Sequence, residues 1–537
     1  MLTRTRPPSI LLTLTLAAAT TSSAFAAIPD VESSLPNPTS SVLAIPGNIS
    51  SGTTVSLQCG QVYQGTLDLT GKSDVTVNTA GDCGKASITP GKSVSGWTQY
   101  QGNIYSAPVD FTPAQVAIAG KPVDAAHWPN RPQMWANAGS SVPNSDLDGA
   151  TLVYLQNQSV VQTRTISGGN ADTSRPFYVE GKLWMLDSPG EWAVADGRLY
   201  MWAPDGQSPE GRTWAASNSN GINADNSSGI TIDGVRIFSA ADGISANTSR
   251  NLRVVNSDIV NSARDGIWAS GSNGLTVDKT NVVNSVRNGM SGGYSIVNAT
   301  VTDSNVANTG TVGRNKSSDA GIMFGGGSGN RIDNVEVVNS SYHGINVLSN
   351  KNTAVTNSVI DTACIGLTDC GGIYTGAPDQ QPLTLRIEGN TVRNVQGTEG
   401  AGIYLDGSAN GVTVTNNTVV DNKDGMLLHD AFNNVISGNT FSSSVTTHII
   451  FSQDIGEMRN NQVTGNTFLS TNGERTFNLQ RGPNLRTFAS FDSNNYGGDH
   501  PNGFGRIWDG GPTGDTLSYS GWRAWLGQDA SSIMNGS

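Results

Sequence analysis

The sequence is poor in charge, in aromatics and in cysteine. Only 14% of its 537 residues are charged and 7% are aromatic, with four cysteines and five histidines. So few charges, beside 64 glycines, argue against a disordered chain and fit a turn-rich all-β protein. The net charge of −12 makes nucleic acid an unsuitable partner, although a local basic patch would still accept an anionic polysaccharide. Long hydrophobic runs are also missing. The one apolar stretch, Ile10 to Ala19, is too short to span a bilayer. It follows Arg4 and Arg6 and precedes Ala24-Phe-Ala26, so residues 1–26 are expected to be a secretory signal. The mature protein is then expected to be soluble, secreted or periplasmic, and monomeric. Four cysteines in an exported chain suggest two disulfides. Cys59 is paired with Cys83 and Cys364 with Cys370, among three formal connectivities.

What the sequence does have is a repeat. From about Gly229 to Phe468 one phrase recurs ten times: an aliphatic residue, a polar one, usually Asn or Gly, two more residues, and an aliphatic or Phe. Ile232 to Ile237, Val254 to Ile259, Val414 to Val419 and Val463 to Phe468 are examples, and the commonest step is 22 or 23 residues. β-Branched residues around a Gly or Asn read as strand, turn, strand. A second phrase interleaves with it, a polar residue followed by Gly-Ile or Gly-Met, as at Asp242, Asp265, Asn288, His343 and Asp424. Longer forms begin at Asp319, Asp369 and Glu399. Each period thus holds two short strands, with room for a third and none for a helix as well. A fixed period of this length indicates a solenoid, and here a parallel β-helix whose coils stack at about 4.8 Å. Asn256, Asn298, Asn334, Asn357 and Asn416 are expected to form a stacked ladder.

The expected organisation is all-β. A cap and first coils span 27–96, a β-rich insertion 97–214, coils with a groove 215–470, and closing coils with a helical cap 471–537. The insertion holds seven of the eleven tryptophans. It reads either as a wall of the groove or as a private core. Excess length falls in 302–320, 376–382 and 396–402, beside the Gly-Ile strand, where loops on a regular scaffold build a binding site.

With Gly96-Trp97, Val116-Ala-Ile118, His127-Trp-Pro, Glu191-Trp, Asp369-Cys-Gly-Gly-Ile-Tyr-Thr375 and the closing Tyr519-Ser-Gly-Trp, the chain resembles the secreted right-handed parallel β-helix enzymes that act on polysaccharides. These include glycoside hydrolases, polysaccharide lyases and epimerases. The resemblance covers nearly the whole mature chain and implies a polysaccharide substrate. The chain lacks the polygalacturonase motif set and the Asp-Pro-His-Asp of alginate epimerases, which lowers both activities in rank.

Aligning periods on the inward Ile or Met puts Asp369 and Glu399, each four residues earlier, side by side at roughly 5 Å. Two carboxyls at that spacing suit a retaining glycosidase, and their repulsion would raise one pKa to make an acid. Asp319 and His343 continue the column less closely. Asp242, Asp265 and Asp424 read as turn residues. Alternation along the strand makes Asp406 and His429 neighbours on the groove floor and puts Trp268, Tyr374 and Tyr404 in one outward column, able to stack on sugars. A lyase would need a base and cations, for which Arg314, Lys316, Arg331, His343, His429 and Lys423 are candidates. A non-catalytic carbohydrate-binding or adhesin solenoid is the third reading. No cofactor is called for. Calcium is left open, with no ligand spacing that stands out.

Overall fold

The computed structural model describes residues 30–133, 135–157, 159–293, 295–310, 319–509 and 514–535. The signal segment, Arg314 and Lys316 lie outside the described residues.

Three long sheets of 15, 14 and 13 strands run along the molecule, parallel except for the last pair of the 14-stranded one. They are the three faces of a right-handed parallel β-helix. The repeated phrase supplies two of them. Thr231–Asp233 lies in one face and Val235–Ala240 in the next, with Gly234 at φ 65° between them. The Gly-Ile phrase forms the third face, as in Ile244–Ser245 and Cys370–Gly376.

Stacking in register fills the interior with files of like residues. Ile237, Ile259, Val282, Val306 and Val337 follow one another coil by coil. The same file continues through Ile360, Val392, Val419, Phe441, Phe468 and Tyr496. All are at most 1% exposed. The change from aliphatic to aromatic widens the last coils, where Phe441 and Phe468 stack with centroids 5.2 Å apart. Trp522 of the terminal helix Tyr519–Leu526 stacks on Phe477 at 5.0 Å and closes that end. Such a core excludes water without needing a globular shape.

The asparagine ladder lies one residue away from its expected place. Asn256, Asn298, Asn334, Asn357 and Asn416 all have φ between 49° and 56°, the left-handed conformation of the turn itself. Their side chains sit at the outer corner. The following residue turns inward, where an amide must be paired. There Asn390, Asn417, Asn439, Asn466 and Asn494 form a buried ladder, the Nδ2 of each of the first four donating to the Oδ1 of the next at 2.9–3.2 Å.

The insertion builds an eight-stranded and a four-stranded sheet. It has two apolar clusters of its own, one around Phe177 and Met185 and one around Val116 and Met201. Tyr178 and Val153 instead join the core of the solenoid. Ser159, on the hairpin between Thr151–Leu155 and Val161–Thr165, hydrogen-bonds the Tyr342 hydroxyl. Insertion and coils therefore meet at the edge of the third face.

Candidate active site

On the third face the strands Cys370–Gly376, Gly400–Asp406, Asp424–His429, Thr447–Ser452 and Arg475–Gln480 lie side by side. Alternation sends every second side chain outward. One outward file runs Tyr374, Tyr404, Leu427, Ile450, Asn478. Beside it run Gly376 and Asp406, and then His429, Ser452 and Gln480. Over these files opens a cleft of about 350 Å³, lined among others by Asp369, Glu399, Tyr404, Asp406, Asp424 and His429. The turn 396–402 precedes its strand and 376–382 follows its own, so the excess length flanks the two edges of the face rather than one.

Asp406 is the centre of the hydrogen bonding. The Tyr374 hydroxyl donates to its Oδ2 at 2.7 Å, and His429 Nδ1 lies 2.7 Å from its Oδ1. Burial by itself would raise this carboxyl, but the bonds from His429 and Tyr374 outweigh it and hold Asp406 below the usual carboxylate range. His429 is raised in turn, chiefly by its bond to Asp406.

Asp369 has the opposite environment. It sits just before Cys370, at φ 56°, in the loop closed by the Cys364–Cys370 disulfide. Burial raises its carboxyl, the charges of Asp406 and Glu399 add to that, and the Tyr404 hydroxyl, 3.1 Å from its Oδ1, opposes it. Asp424 lines the same cleft, bonded by the Thr446 hydroxyl, and burial pushes it up to about 6.

The structure brings together Asp369, Glu399, Tyr404, Asp406 and His429 in one cleft, with Tyr374 bonded to Asp406 beneath it. Glu399 lines that cleft at its exposed rim. Other expectations are corrected. Asp319 is 1% exposed and faces Arg287 at 3.6 Å. His343 is 2% exposed and pushed down to about 3 by burial. His343 belongs to a structural column in which Asp242, Asp265, Asn288 and His343 each accept a backbone N–H from the following coil, and Asp319 stands one residue before the place that Ala320 takes in that column. A carbonyl-free corner leaves that N–H unpaired unless a side chain reaches it. Trp268 shares the outward file with Tyr374 but lies four coils away, about 19 Å. Tyr374 stacks on the His343 ring at 4.1 Å, and its hydroxyl, like that of Tyr404, is committed to a carboxylate. These tyrosines orient acids instead of offering open stacking faces. Arg331 lies on a different face, with Asp333.

Several lining residues escaped sequence reasoning, Asp424 and Arg481 among them. Asp424 looked like a turn residue because it precedes Gly425. Arg481 follows the strand Arg475–Gln480, in a coil where the Gly-Ile phrase has faded. Among the described residues no group of three or more His, Cys, Asp or Glu is arranged to hold a metal ion. No helix among them is long and apolar enough to cross a membrane.

A family model described as right handed beta helix region matches residues 293–468, and one described as periplasmic copper-binding protein (NosD) matches 205–375. No curated protein matches the chain. Among solved structures, one titled glycoside hydrolase is 13% identical, with TM-score 0.48, covering 72% of this chain and 88% of its own. The complex of XylC with xylose is 10% identical, with TM-score 0.48, covering 88% and 82%. The A-module of an Azotobacter vinelandii mannuronan C-5 epimerase is 15% identical, with TM-score 0.39, covering 56% and 84%.

Proposed function

We propose that the protein is an exported enzyme that hydrolyses glycosidic bonds of a polysaccharide lying across the third face. The observation that carries this reading is a pair of carboxyls in one cleft whose environments push their pKa values apart. Asp369 is raised and Asp406 is lowered. A glycosidase needs that division, with one group protonated to meet the leaving oxygen and one ionised to face the anomeric carbon. Asp369 is the acid. Asp406 is the anion, attacking directly or through a water molecule. His429 and Tyr374 hold Asp406 in place and ionised, and Tyr404 orients Asp369. Glu399, the partner of Asp369 in the sequence reading, acts here through its charge, which helps to raise the Asp369 carboxyl. The two disulfides, Cys59–Cys83 and Cys364–Cys370, fit an oxidising compartment outside the cytosol.

Elimination from a uronate polymer is the second reading, favoured by the presence of Arg481 in the same cleft. Purified protein on a panel of polysaccharides separates the two. New reducing ends without ultraviolet absorbance indicate hydrolysis, and the absorbance of unsaturated uronates indicates elimination. If no glycan in the panel is cut, the enzymatic reading falls.

A further inference from the structure

The cleft changes in charge along its length. Asp369, Glu399, Asp406 and Asp424 belong to its earlier coils, whereas the later ones contribute Asp454 and Arg481. Arg481 is not alone. Its guanidinium lies 5.7 Å from the centre of the Trp508 ring, and that of Arg506 lies 5.8 Å from the same ring. Trp508 follows Gln480 in the outward file, and the backbone N–H of Arg481 donates to its carbonyl at 2.8 Å. One indole thus holds two guanidiniums by cation–π contact. Arg475 stands in the file that begins at Asp424 and Thr447, two coils from Asp424, about 10 Å. Burial lowers the Arg475 pKa and the charge of Arg506 lowers it further, so these two cations feel each other.

Among the described residues no carboxylate comes within ion-pair distance of Arg475, Arg481 or Arg506, although Asp454 lines the same cleft. In a chain of net charge −12, two guanidiniums held on one indole without an ion-paired carboxylate favour an anion beside them. The backbone at Arg481 is also unusual. Its φ is 69°, a conformation that here falls mostly to Asn, Asp and Gly in turns.

We propose that the later-coil end of the cleft is a subsite for an anionic sugar, in which Arg481, backed by Arg506 across Trp508, receives a carboxylate or sulfate ester of the glycan. A planar guanidinium suits both groups because it offers paired donors. Gln480 and Ser452, also in the lining, supply neutral hydrogen bonds to the same ring. This rests on the glycan-cleaving reading only in taking the ligand to be a sugar, and it names the substrate class of that site.

The test is calorimetric binding to the full chain at low salt. The probes are a galacturonic acid oligomer, its fully methyl-esterified form, and a sulfated galactan oligomer. At least one anionic probe should bind about ten-fold or more tightly than the neutral ester, and the difference should shrink in high salt. Which anionic probe binds decides between carboxylate and sulfate. Arg481→Gln should bring the anionic probe to the level of the ester, and Arg506→Gln should weaken it in the same direction. Should Arg506→Gln fail to fold, Arg481→Gln is sufficient, since its side chain borders the open cleft. Equal binding of charged and neutral probes, no binding of either anionic probe, or an unchanged preference in Arg481→Gln overturns the subsite. Cleavage of a neutral glycan together with such a result rejects the subsite and leaves hydrolysis standing. Arginine-dependent binding without cleavage of any glycan does the reverse.

Discussion

His429 Nδ1 lies 2.7 Å from Asp406 Oδ1, although 23 residues separate them in the chain. One coil of the solenoid spans that interval, so strand register alone makes the contact. The bond keeps Asp406 ionised and His429 protonated to a higher pH than usual.

Replacing either carboxyl of the pair should stop turnover without unfolding the protein. Asp406→Asn is expected to lower kcat at least about 10³-fold. Asp369→Asn should cost about 10²- to 10⁴-fold on the natural glycan and much less on an aryl glycoside, whose leaving group needs no proton. Glu399→Gln should cost less than about ten-fold. Steady-state rates with matched circular dichroism spectra decide. A dead Glu399→Gln beside an active Asp406→Asn would return the anionic role to Glu399.

The Asp406–His429 pair should leave its mark on stability against pH. The ordinary values are 3.8 for the carboxyl and 6.5 for the imidazole. Asp406 is depressed, so its contribution is present above 3.8 and lost as pH falls through the lower folded value. His429 is raised, so its contribution is complete below 6.5 and lost as pH rises through the higher folded value. His429→Gln should therefore lose Tm relative to wild type below 6.5 and approach it at alkaline pH. A constant Tm difference at every pH would contradict this linkage.

Tyr374→Phe removes the donor to Asp406 Oδ2 and leaves the ring stacked on His343. A hydrogen bond to a charged group is worth about 1.5–3 kcal/mol. The expected result is a loss of roughly ten-fold or more in kcat/KM and an acid limb of the pH–rate profile moved to higher pH. A profile that keeps its acid limb would show that Tyr374 does not set the ionisation of Asp406.

The buried amide ladder should be stiff towards deletion. Asn439→Ala removes the donor to the Val414 carbonyl and the Asn439 Oδ1 that accepts from Asn417. Each buried group left unpaired costs about 1–3 kcal/mol, so a loss on the order of 3 kcal/mol is expected. Asn416→Ala, at the outer corner, should cost less. Denaturant midpoints measured on both variants would reverse the assignment if Asn416 proved the costlier.

Opening the Cys364–Cys370 bridge should loosen the loop that presents Asp369. Its ends are six residues apart in sequence. A loop of that size gains about 2 kcal/mol from cross-linking in the chain-entropy account. The Cys364→Ser, Cys370→Ser variant should show a lower Tm and a kcat reduced more than KM. Full activity in the variant would mean that Asp369 is placed without the bridge.

The solenoid was legible because its code is local. Strand, corner and strand recur within each period, and the inward residues repeat coil after coil, from Ile237 to Tyr496. The pairing of Asp406 with His429 followed from the same alternation. His343 misled because a polar residue before Gly-Ile serves equally to cap a backbone N–H at a corner, and Asp319 because it is buried against Arg287; only burial separates such uses from chemistry. Asp424 misled in the other direction.

By itself the sequence determined the repeat, the face to which each periodic residue turns and the residues that become coil neighbours, because these depend on periods of two and of about twenty-three. Only the tertiary structure decided which of the many aspartates have their pKa raised and which lowered. That depends on burial and on hydroxyls such as those of Tyr374 and Tyr404, brought in from coils some thirty residues away. It also set Arg481 at one end of the cleft, with Arg506 across Trp508 from it, since the strands there have lost the repeat's signature and are held by the stacking of the coils before them.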